Sequence, residues 1–356
     1  MDAALLTGQA FWNDSTPAAS EPPGHVLFKT SGSTGPPKWV AISKQALLIS
    51  AEAVNQHLEV TDKSCWGLVL PPHHVGGFGV AARAYEAGCR LQIFDRRWDA
   101  FAFCDWLKLA NVTHLSLVPT QVHDLVKANL TSPRLLEAIV VGGGHLDLTT
   151  GQAARDLGWP VLASYGMTEA ASQIATQGLG QLQALYQPSP ISILPIWNTR
   201  ISSEGLLSIS GPALFSGYVS DGNYVAQKGE WFTTTDRVLF ENGAITPLGR
   251  ADTLIKVLGE LVDPQAIERE LISLSDERLV SGTFAILAIA DERAEHVLIP
   301  VFESFVDPAI IEIILARYQR DAPGFRRLKP AIIIEKLPRS ELGKLRRDEL
   351  AALLKG

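Results

Sequence analysis

The sequence predicts an α/β protein. A large N-terminal domain is built from mainly parallel sheets flanked by helices plus a small β unit, and a small α+β domain closes the chain. Three observations predict this. From His25 to about Ser164, short apolar runs alternate with longer amphipathic stretches, as in βαβ units. After Tyr165, short strands are interrupted by Gly, Pro and Asn, as in hairpins. After Arg250, helical runs flank apolar strands, which indicates a separate α+β unit.

These patterns predict the individual helices and strands. They also predict two domains, at residues 1–250 and 251–356. In the first region, strands are predicted near Val26–Thr30, Cys65–Leu70, Arg90–Phe94, Thr113–Val118, Ala138–Val141 and Val161–Ser164. Helices are predicted there near Lys44–Leu58, Trp98–Ala110, Thr120–Asn129 and Thr149–Leu157. In the last region, helices near Pro264–Leu274 and Pro308–Tyr318 are predicted to flank strands near Phe284–Ala290, Val297–Phe302 and Ala331–Glu335.

The composition excludes several classes of protein. With 46% hydrophobic and 19% charged residues over 356 positions, the chain has the usage of a folded protein. A net charge of −7 gives no overall basic field, so neither nucleic acid nor an anionic membrane surface is an expected partner. Apolar runs are far shorter than the roughly 20 residues of a membrane helix, so no membrane span is expected. The N-terminus lacks a secretory signal, and the expected compartment is the cytoplasm.

The three cysteines, Cys65, Cys89 and Cys104, form no CxxC pair. We therefore expect buried free thiols rather than a disulfide framework or a zinc site.

A candidate phosphate loop follows the first strand. Its expected anion contacts are Thr30, Ser31, Gly32, Ser33, Thr34, Gly35 and Lys38. The glycines let backbone N–H groups approach an anion, the hydroxyls add donors, and the lysine adds positive charge. The loop is not a Walker A motif, because that motif places Lys directly after the second Gly and follows it with Ser or Thr. A flexible Gly/Ser turn is the alternative.

Further segments follow this loop in a fixed order. They are Tyr165-Gly166-Met167-Thr168-Glu169, Thr235-Asp236, Gly249-Arg250-Ala251-Asp252, Gly259-Glu260, and Pro338-Arg339-Ser340-Glu341-Leu342-Gly343-Lys344. Over most of the chain, this ordered set resembles the adenylate-forming superfamily of acyl-CoA synthetases, luciferases and peptide-synthetase adenylation domains. The resemblance implies an AMP-forming acid–thiol ligase that uses ATP, Mg²⁺ and CoA with a carboxylic acid. It also implies that the small C-terminal domain is mobile and rotates between two half-reactions.

The resemblance assigns nucleotide contacts to particular residues. The implied ATP contacts after the loop are Gly143, Gly144, Tyr165, Gly166, Met167, Asp236 and Arg250. Tyr165 offers a flat face to adenine, Thr168 offers a hydroxyl to a phosphate, and Glu169 offers a hard carboxylate to Mg²⁺. Asp236 matches the ribose contact of the family, although Thr235 stands before it where Gly is usual. At Gly144 and His145 the family often has a small residue and Pro.

Four residues match the remaining roles of the family. His74 matches the histidine that gates or contacts the carboxylate substrate, with a solvent-exposed or satisfied histidine as the alternative. A metal pair with His73 is not expected, because adjacent side chains on an extended segment point apart. Lys344 matches the lysine that neutralises charge shared by the carboxylate and the α-phosphate, Asp252 matches the hinge, and Gly259 matches the CoA channel.

The segment that follows Glu169 also resembles the o-succinylbenzoate–CoA ligases of menaquinone synthesis. If it is helical, Thr168, Ser172 and Thr176 share one face at i, i+4 spacing. The unreacted carboxylate of a dicarboxylic substrate needs hydrogen-bond donors when the pocket closes. Ser172 and Thr176 are the candidates, and an ordinary polar helix face is the alternative.

The phosphate loop begins at Thr30, whereas most of the superfamily has far more sequence ahead of it. A naturally short enzyme, or a neighbouring subunit such as the second copy of a homodimer, would account for this. Three functions remain open: an o-succinylbenzoate–CoA ligase, an acyl- or aryl-CoA ligase for another acid, and a nucleotide-binding module without turnover.

Overall fold

The computed structural model describes residues 11–12, 24–30, 38–220, 223–275, 278–280, 282–340 and 345–354. This part of the chain divides into two compact units. Unit 1 holds the described residues up to Ser202, with those of Leu207–Thr234 and Phe240–Thr246. Unit 2 holds Ser203–Leu206, Thr235–Leu239 and the described residues from Pro247 onward. The domain ranges 1–250 and 251–356 remain a prediction from the sequence.

The described elements alternate along the chain. The strands are β1 (Phe11–Trp12), β2 (His25–Thr30), β3 (Lys38–Ser43), β4 (Cys65–Leu68), β5 (Arg90–Ile93), β6 (His114–Leu117), β7 (Ala138–Val141), β8 (Val161–Tyr165), β9 (Ala175–Thr176), β10 (Ile191–Ser192), β11 (Asn198–Ile201), β12 (Leu206–Ser210), β13 (Gly217–Ser220), β14 (Asn223–Ala226), β15 (Phe232–Glu241), β16 (Ala244–Arg250), β17 (Ile255–Val257), β18 (Glu260–Val262), β19 (Phe284–Asp291), β20 (Glu295–Glu303) and β21 (Ile332–Ile334). The α-helices are α1 (Lys44–His57), α2 (Val75–Glu86), α3 (Ala100–Ala110), α4 (Pro119–Lys127), α5 (Leu148–Asp156), α6 (Pro264–Leu274), α7 (Pro308–Asp321) and α8 (Arg347–Leu353). None of these helices is long and apolar enough to cross a membrane.

A six-stranded sheet lies at the centre of unit 1, in the order β5-β4-β6-β7-β8-β9. Its strands are parallel except for the antiparallel β8–β9 pair. Helices α2 to α5 connect the successive parallel strands β4 to β8, which is the βαβ arrangement that the sequence predicts. Strands β6 and β7 are buried along their whole length, as expected for a parallel sheet covered on both faces.

The prediction of mainly parallel sheets is correct for this sheet and wrong for the sheet that contains β2. Strand β2, which was expected to begin the parallel series, pairs antiparallel with β3. The two strands are separated only by residues 31–37, and a parallel crossover needs a dozen or more residues. They belong to a sheet in the order β1-β2-β3-β13-β14. A third sheet, in the order β10-β16-β15-β12-β11, contains the predicted hairpins.

An aromatic cluster fills the core beside the six-stranded sheet. The Phe103 ring lies 5.0 Å from the Trp98 ring and 5.8 Å from the Phe94 ring, and it stacks on Trp159 at 6.4 Å. Asp99 caps the N-terminus of α3 by accepting a hydrogen bond from the Ala102 N–H at 2.8 Å. This cap fixes the start of the helix and so places Phe103 on its buried face.

The three cysteines lie in this unit and are free thiols, as the sequence predicts. Cys65 and Cys104 are buried and Cys89 is partly buried. Burial raises the pKa of the Cys104 thiol to about 11, so this thiol stays protonated at neutral pH.

Unit 2 contains the predicted α+β elements. Strands β19, β20 and β21 form one sheet, in which β19–β20 is antiparallel and β20–β21 is parallel. Helices α6 and α7 contribute buried side chains such as Ile267, Leu271 and Ile314 to its core, with Phe284 stacked on Phe302 at 5.2 Å. Strands β17 and β18 form a separate hairpin.

Candidate nucleotide and acid site

The phosphate-loop sequence closes a hairpin in unit 1. Thr30 at the end of β2 and Lys38 at the start of β3 are register partners, and the Thr30 hydroxyl donates to the Lys38 carbonyl at 3.1 Å. Ser31, Gly32, Ser33, Thr34 and Gly35 lie outside the described residues. The structure therefore fixes both ends of the predicted loop on adjacent strands.

The Tyr165–Glu169 motif begins at the carboxyl end of strand β8. After Tyr165 the chain turns sharply, and Thr168–Ala170 forms a short 3₁₀ helix. A Cβ on Gly166 would lie 1.7 Å from the Ser172 carbonyl oxygen, so only glycine fits at this position. The carboxyl edge of parallel strands is where open α/β sheets bind ligands. The turn thus presents Thr168 and Glu169 at that edge.

Two other predicted segments follow strands that end at the same edge. Gly142 follows β7, and its N–H donates to the Leu117 carbonyl at 3.1 Å. Gly143 comes next with a positive φ of 75°, and Gly144 follows it. His74 stands after β4 and occupies the N-cap position of α2. The sheet topology therefore brings His74, Gly143, Gly144 and Tyr165 to one edge.

Glu169 is held by contacts from a distant part of unit 1. The Tyr218 hydroxyl donates to Glu169 Oε1 at 3.0 Å, and the Phe215 N–H donates to the Glu169 carbonyl at 2.8 Å. Within the described residues, no group of three or more His, Cys, Asp or Glu side chains is placed to hold a metal ion. A single carboxylate suits Mg²⁺, which is commonly bound through one or two carboxylates together with substrate phosphates. Glu169 fits that role.

The sequence prediction for the two histidines is wrong in its geometry. The rings of His73 and His74 lie 4.4 Å apart instead of pointing apart. The two residues lie in a turn that leads into α2, with the His74 N–H bonded to the Pro71 carbonyl. Alternation of side chains applies to strands only, so it does not apply here.

The prediction that Thr168, Ser172 and Thr176 share a helix face is also wrong. The 3₁₀ helix ends at Ala170, and Ala171 and Ser172 have positive φ values of 50° and 106°. Thr176 lies on β9 and is completely buried, and its hydroxyl pairs with the Ser164 hydroxyl at 3.2 Å. Ser172 and Thr176 are therefore not brought together by a helix.

A buried arginine in α2 is the group that the sequence analysis missed. The Arg83 side chain is 2% exposed, and burial lowers its pKa to about 10. Its Nη1 donates to the Ser116 hydroxyl at 3.0 Å, and its guanidinium lies 5.2 Å from the Trp66 ring centroid. No carboxylate within the described ranges pairs with it. A buried charge normally needs such a partner, which marks Arg83 as unusual.

Arg83 faces Ser172 across a glycine. A Cβ placed on Gly79 would lie 3.3 Å from Arg83 Nη2 and 3.7 Å from Ser172 Oγ. The guanidinium and the hydroxyl therefore both lie close to Gly79, five residues along the chain from His74. A single arginine in the apolar run from Val80 to Ala84 was the sequence signal that could have identified this site.

The remaining predicted residues belong to unit 2 or to the undescribed part of the chain. Asp236 and Arg250 lie in unit 2. Arg250 pairs with Asp252 through two hydrogen bonds of 2.8 and 2.6 Å, which hold the pKa of that carboxyl below its usual value. Gly259 has a positive φ of 83° in the turn between β17 and β18. Lys344 lies outside the described residues.

The order of the motifs, and the position of several of them after the carboxyl ends of parallel strands, agree with the adenylate-forming class that the sequence resembles. The family model described as AMP-binding enzyme matches residues 9–219, and the chain belongs to this family.

Within this family, the chain is similar to several individual enzymes of one name. The chain is 32% identical to the 2-succinylbenzoate–CoA ligase of Escherichia coli (strain K12) over 276 residues, which cover 77% of this chain and 57% of that relative. It is 29% identical to the enzyme of the same name from Bacillus mycoides (strain KBAB4) over 348 residues, 92% of this chain and 70% of that one. An arginine-to-lysine variant of E. coli MenE with bound OSB-AMS matches the fold with a TM-score of 0.76 at 25% identity, covering 96% of this chain and 71% of that structure. The chain thus spans little more than half the length of the E. coli relative.

Proposed function

We propose that the chain is an ATP-dependent o-succinylbenzoate–CoA ligase. The acid attacks the α-phosphate of ATP to give an acyl-adenylate and pyrophosphate, and the thiol of CoA then takes the acyl group and releases AMP. The buried Arg83, which has no carboxylate partner in the described part of unit 1, is the observation that carries the choice of acid. Membership of the AMP-binding family and the similarity to 2-succinylbenzoate–CoA ligases support the reaction class.

A carboxylate is a poor acyl donor because its leaving group would be oxide, so the acid must first be activated as an acyl-adenylate. Adenylation itself is difficult because both reactants are anionic. In this proposal the phosphate loop holds the triphosphate, Tyr165 packs against adenine, and Thr168 contacts a phosphate. Glu169 is the residue that would hold Mg²⁺, and the bound ion supplies charge neutralisation at the phosphates. Lys344 offsets the charge that develops between the carboxylate and the α-phosphate. Alignment and charge compensation account for most of the catalysis in such a transfer.

The proposal extends to the C-terminal residues. Asp236 and Arg250 contact the ribose or a phosphate, Asp252 is the hinge of a mobile small domain, and Gly259 lines the CoA channel. We place the domain boundary near Arg250. The homodimer and the cytoplasmic location belong to this proposal as well.

Arg83 would recognise the carboxylate that does not react. o-Succinylbenzoate is a dicarboxylate, and the second carboxylate loses water when the site closes, at a cost that only a cation or several donors can offset. The Arg83 guanidinium and the Ser172 hydroxyl, which both lie close to Gly79, would supply such donors. A hydrogen bond to a charged group contributes about 1.5–3 kcal/mol, which corresponds to a factor of about 10–150 in affinity. His74, at the start of the same helix, lies at the sheet edge where the reacting carboxylate is expected.

The test is the acid specificity of Arg83→Met. We expect kcat/KM for o-succinylbenzoate to fall by about 10–150-fold. 3-Benzoylpropionate and 2-butyrylbenzoate each lack one of the two carboxylates. For at least one of these acids, kcat/KM should fall less than threefold. Arg90→Met, which removes an exposed arginine at the start of β5, is the matched control and should leave the preference intact. An equal loss on all three acids would make Arg83 structural and favour a ligase for another acid. No adenylation with any acid would favour a nucleotide-binding module.

A further inference from the structure

Tyr218 connects two groups of unit 1 that the sequence separates widely. Its hydroxyl donates to Glu169 Oε1 at 3.0 Å, and the Lys38 ammonium lies 5.9 Å from the centroid of its ring. Lys38 ends the predicted phosphate loop and Glu169 is the candidate Mg²⁺ ligand. No motif of the sequence analysis includes Tyr218.

We infer that Tyr218 is a positioning residue that fixes the Glu169 carboxylate for a divalent cation held with ATP. The inference rests on the proposed function only in taking Glu169 as the metal ligand. It does not depend on which acid is activated.

The hydrogen bond leaves one carboxylate oxygen for the metal. An ionised carboxylate only accepts hydrogen bonds, so the Tyr218 O–H is the donor and Oε1 is the acceptor. Within the described residues, Glu169 Oε2 accepts no hydrogen bond. Mg²⁺ demands near-octahedral geometry and keeps several waters, which favours a single oxygen from each carboxylate. By occupying Oε1, Tyr218 favours contact of the ion with Oε2 alone.

The tyrosine is itself held rigidly. It lies on β13, opposite Val40 of β3, so its backbone is fixed relative to the strand that begins at Lys38. Its ring packs on the buried Phe215 ring at 4.7 Å. The N–H of Phe215 donates to the Glu169 carbonyl, so one short segment holds both the backbone and the side chain of Glu169.

In this arrangement Tyr218 acts on the ion only through the Glu169 carboxylate. Side chains that orient metal ligands in this way typically affect metal affinity by about 10–100-fold when they are removed.

The test is metal binding by Tyr218→Phe, which keeps the ring and its contacts with Phe215 and Lys38 but removes the hydroxyl. Mn²⁺ is titrated into the full chain with saturating α,β-methylene-ATP and no acid, and binding is followed by water-proton relaxation. We expect the Kd for Mn²⁺ to rise about 10-fold or more. Tyr224→Phe is the matched control on neighbouring β14. It removes a hydroxyl that donates to the Ser216 carbonyl at 2.7 Å, and it should bind Mn²⁺ as the wild type does.

A double variant shows whether Tyr218 acts through Glu169. Glu169→Gln should weaken Mn²⁺ binding by itself, and adding Tyr218→Phe should then change the Kd less than twofold. The inference is overturned if Tyr218→Phe binds Mn²⁺ normally, if Tyr224→Phe weakens binding equally, if the two changes add fully, or if the wild type binds no Mn²⁺ with the analogue. Mn²⁺ binding without acid-dependent turnover would refute the proposed function and leave the inference standing.

Discussion

Several polar side chains of unit 1 are buried, and each depends on specific neighbours. Asn55 links α2 to β4, since its Nδ2 donates to the Arg83 backbone carbonyl at 2.8 Å and its Oδ1 accepts from the Trp66 indole at 3.2 Å. His114 is completely buried beside the same indole, with 5.2 Å between the ring centroids. Its Nδ1 pairs with the Thr113 hydroxyl at 2.8 Å. These contacts compensate part of the cost of burying polar atoms and fix the backbone at Arg83 relative to Trp66.

His114 should make the stability of unit 1 dependent on pH. Burial lowers its pKa below the ordinary value, against smaller opposing effects of the Leu58 carbonyl and the Glu137 carboxylate. Below about pH 6.5 the unfolded chain therefore takes up a proton that the folded chain does not, and stability falls as the pH falls through that region. His114→Phe should cost about 1–3 kcal/mol at pH 7.5, because it leaves buried polar groups unpaired.

The measurement is urea unfolding of the wild type and the variant at pH 7.5 and pH 5.5. Groups common to both proteins cancel in the difference. The difference in the free energy of unfolding between the wild type and His114→Phe should be smaller at pH 5.5, because only the wild type loses the contribution of His114. A gap that stays constant or widens at pH 5.5 would contradict the pKa direction.

For individual residues, the sequence predicted which residue types belong to the candidate site better than it predicted the contacts around them. The Tyr165–Glu169 motif could be recognised because it is contiguous. Ser172 was placed on a helix face that does not exist, because the left-handed conformations of Ala171 and Ser172 depend on the close packing of Gly166 against the Ser172 carbonyl. Tyr218 and Glu169 are 49 positions apart, and local patterns do not encode such contacts.

In unit 2, helix α8 is attached to the sheet through an ion pair. Both Glu268 oxygens accept from Arg347 Nη2 at 2.7 Å. The same two side chains bind the backbone of Ile286 on edge strand β19, with Glu268 accepting its N–H at 2.7 Å and Arg347 donating to its C=O at 2.9 Å. Ile286 lies opposite Pro300, which has no N–H to offer. The ion pair therefore supplies hydrogen-bond partners to the open edge of the sheet, and it also anchors α8 to that edge.

Arg347→Met should loosen α8 without unfolding the sheet. Hydrogen–deuterium exchange of the Ile286 amide and of residues 347–354 should accelerate about 10-fold, as expected for a loss of about 1.4 kcal/mol, while the inner strand β20 keeps its protection. Arg346→Met is the control, because Arg346 pairs with Glu349 at an exposed site where such pairs contribute little. Equal acceleration in the two variants, or none in Arg347→Met, would show that the ion pair does not anchor the helix.

The elements themselves were predicted with uneven success. The strands and helices of the βαβ series lie within a few residues of their predicted positions, because periodicity is a local property. Helix α2 was missed because its Gly-Gly-Phe-Gly start has low helix propensity, and Arg83 was missed with it. Strand β3 was missed because it is defined by pairing with β2 and β13 rather than by its own alternation.

For the molecule as a whole, the order of the motifs predicted the family more specifically than any single motif did. Family membership follows from residues 9–219, and the identity to 2-succinylbenzoate–CoA ligases extends over most of the chain. The antiparallel sheet that contains β2, β3, β13 and β14 was not predicted, since the pairing of β3 with the distant β13 is set by tertiary packing. The proposed reaction uses groups from both sequence-predicted domains, so only an assay of the full chain tests it.

The proposed function is tested most directly by ATP–pyrophosphate exchange, measured on the full chain with Mg²⁺ and o-succinylbenzoate. Labelled pyrophosphate should enter ATP only when the acid is present, and Glu169→Gln should lower the rate by at least about 10-fold. Each of the two monocarboxylate analogues should support slower exchange than o-succinylbenzoate. Absence of exchange with o-succinylbenzoate and with every other acid, from a folded chain that binds ATP, would contradict the proposed function.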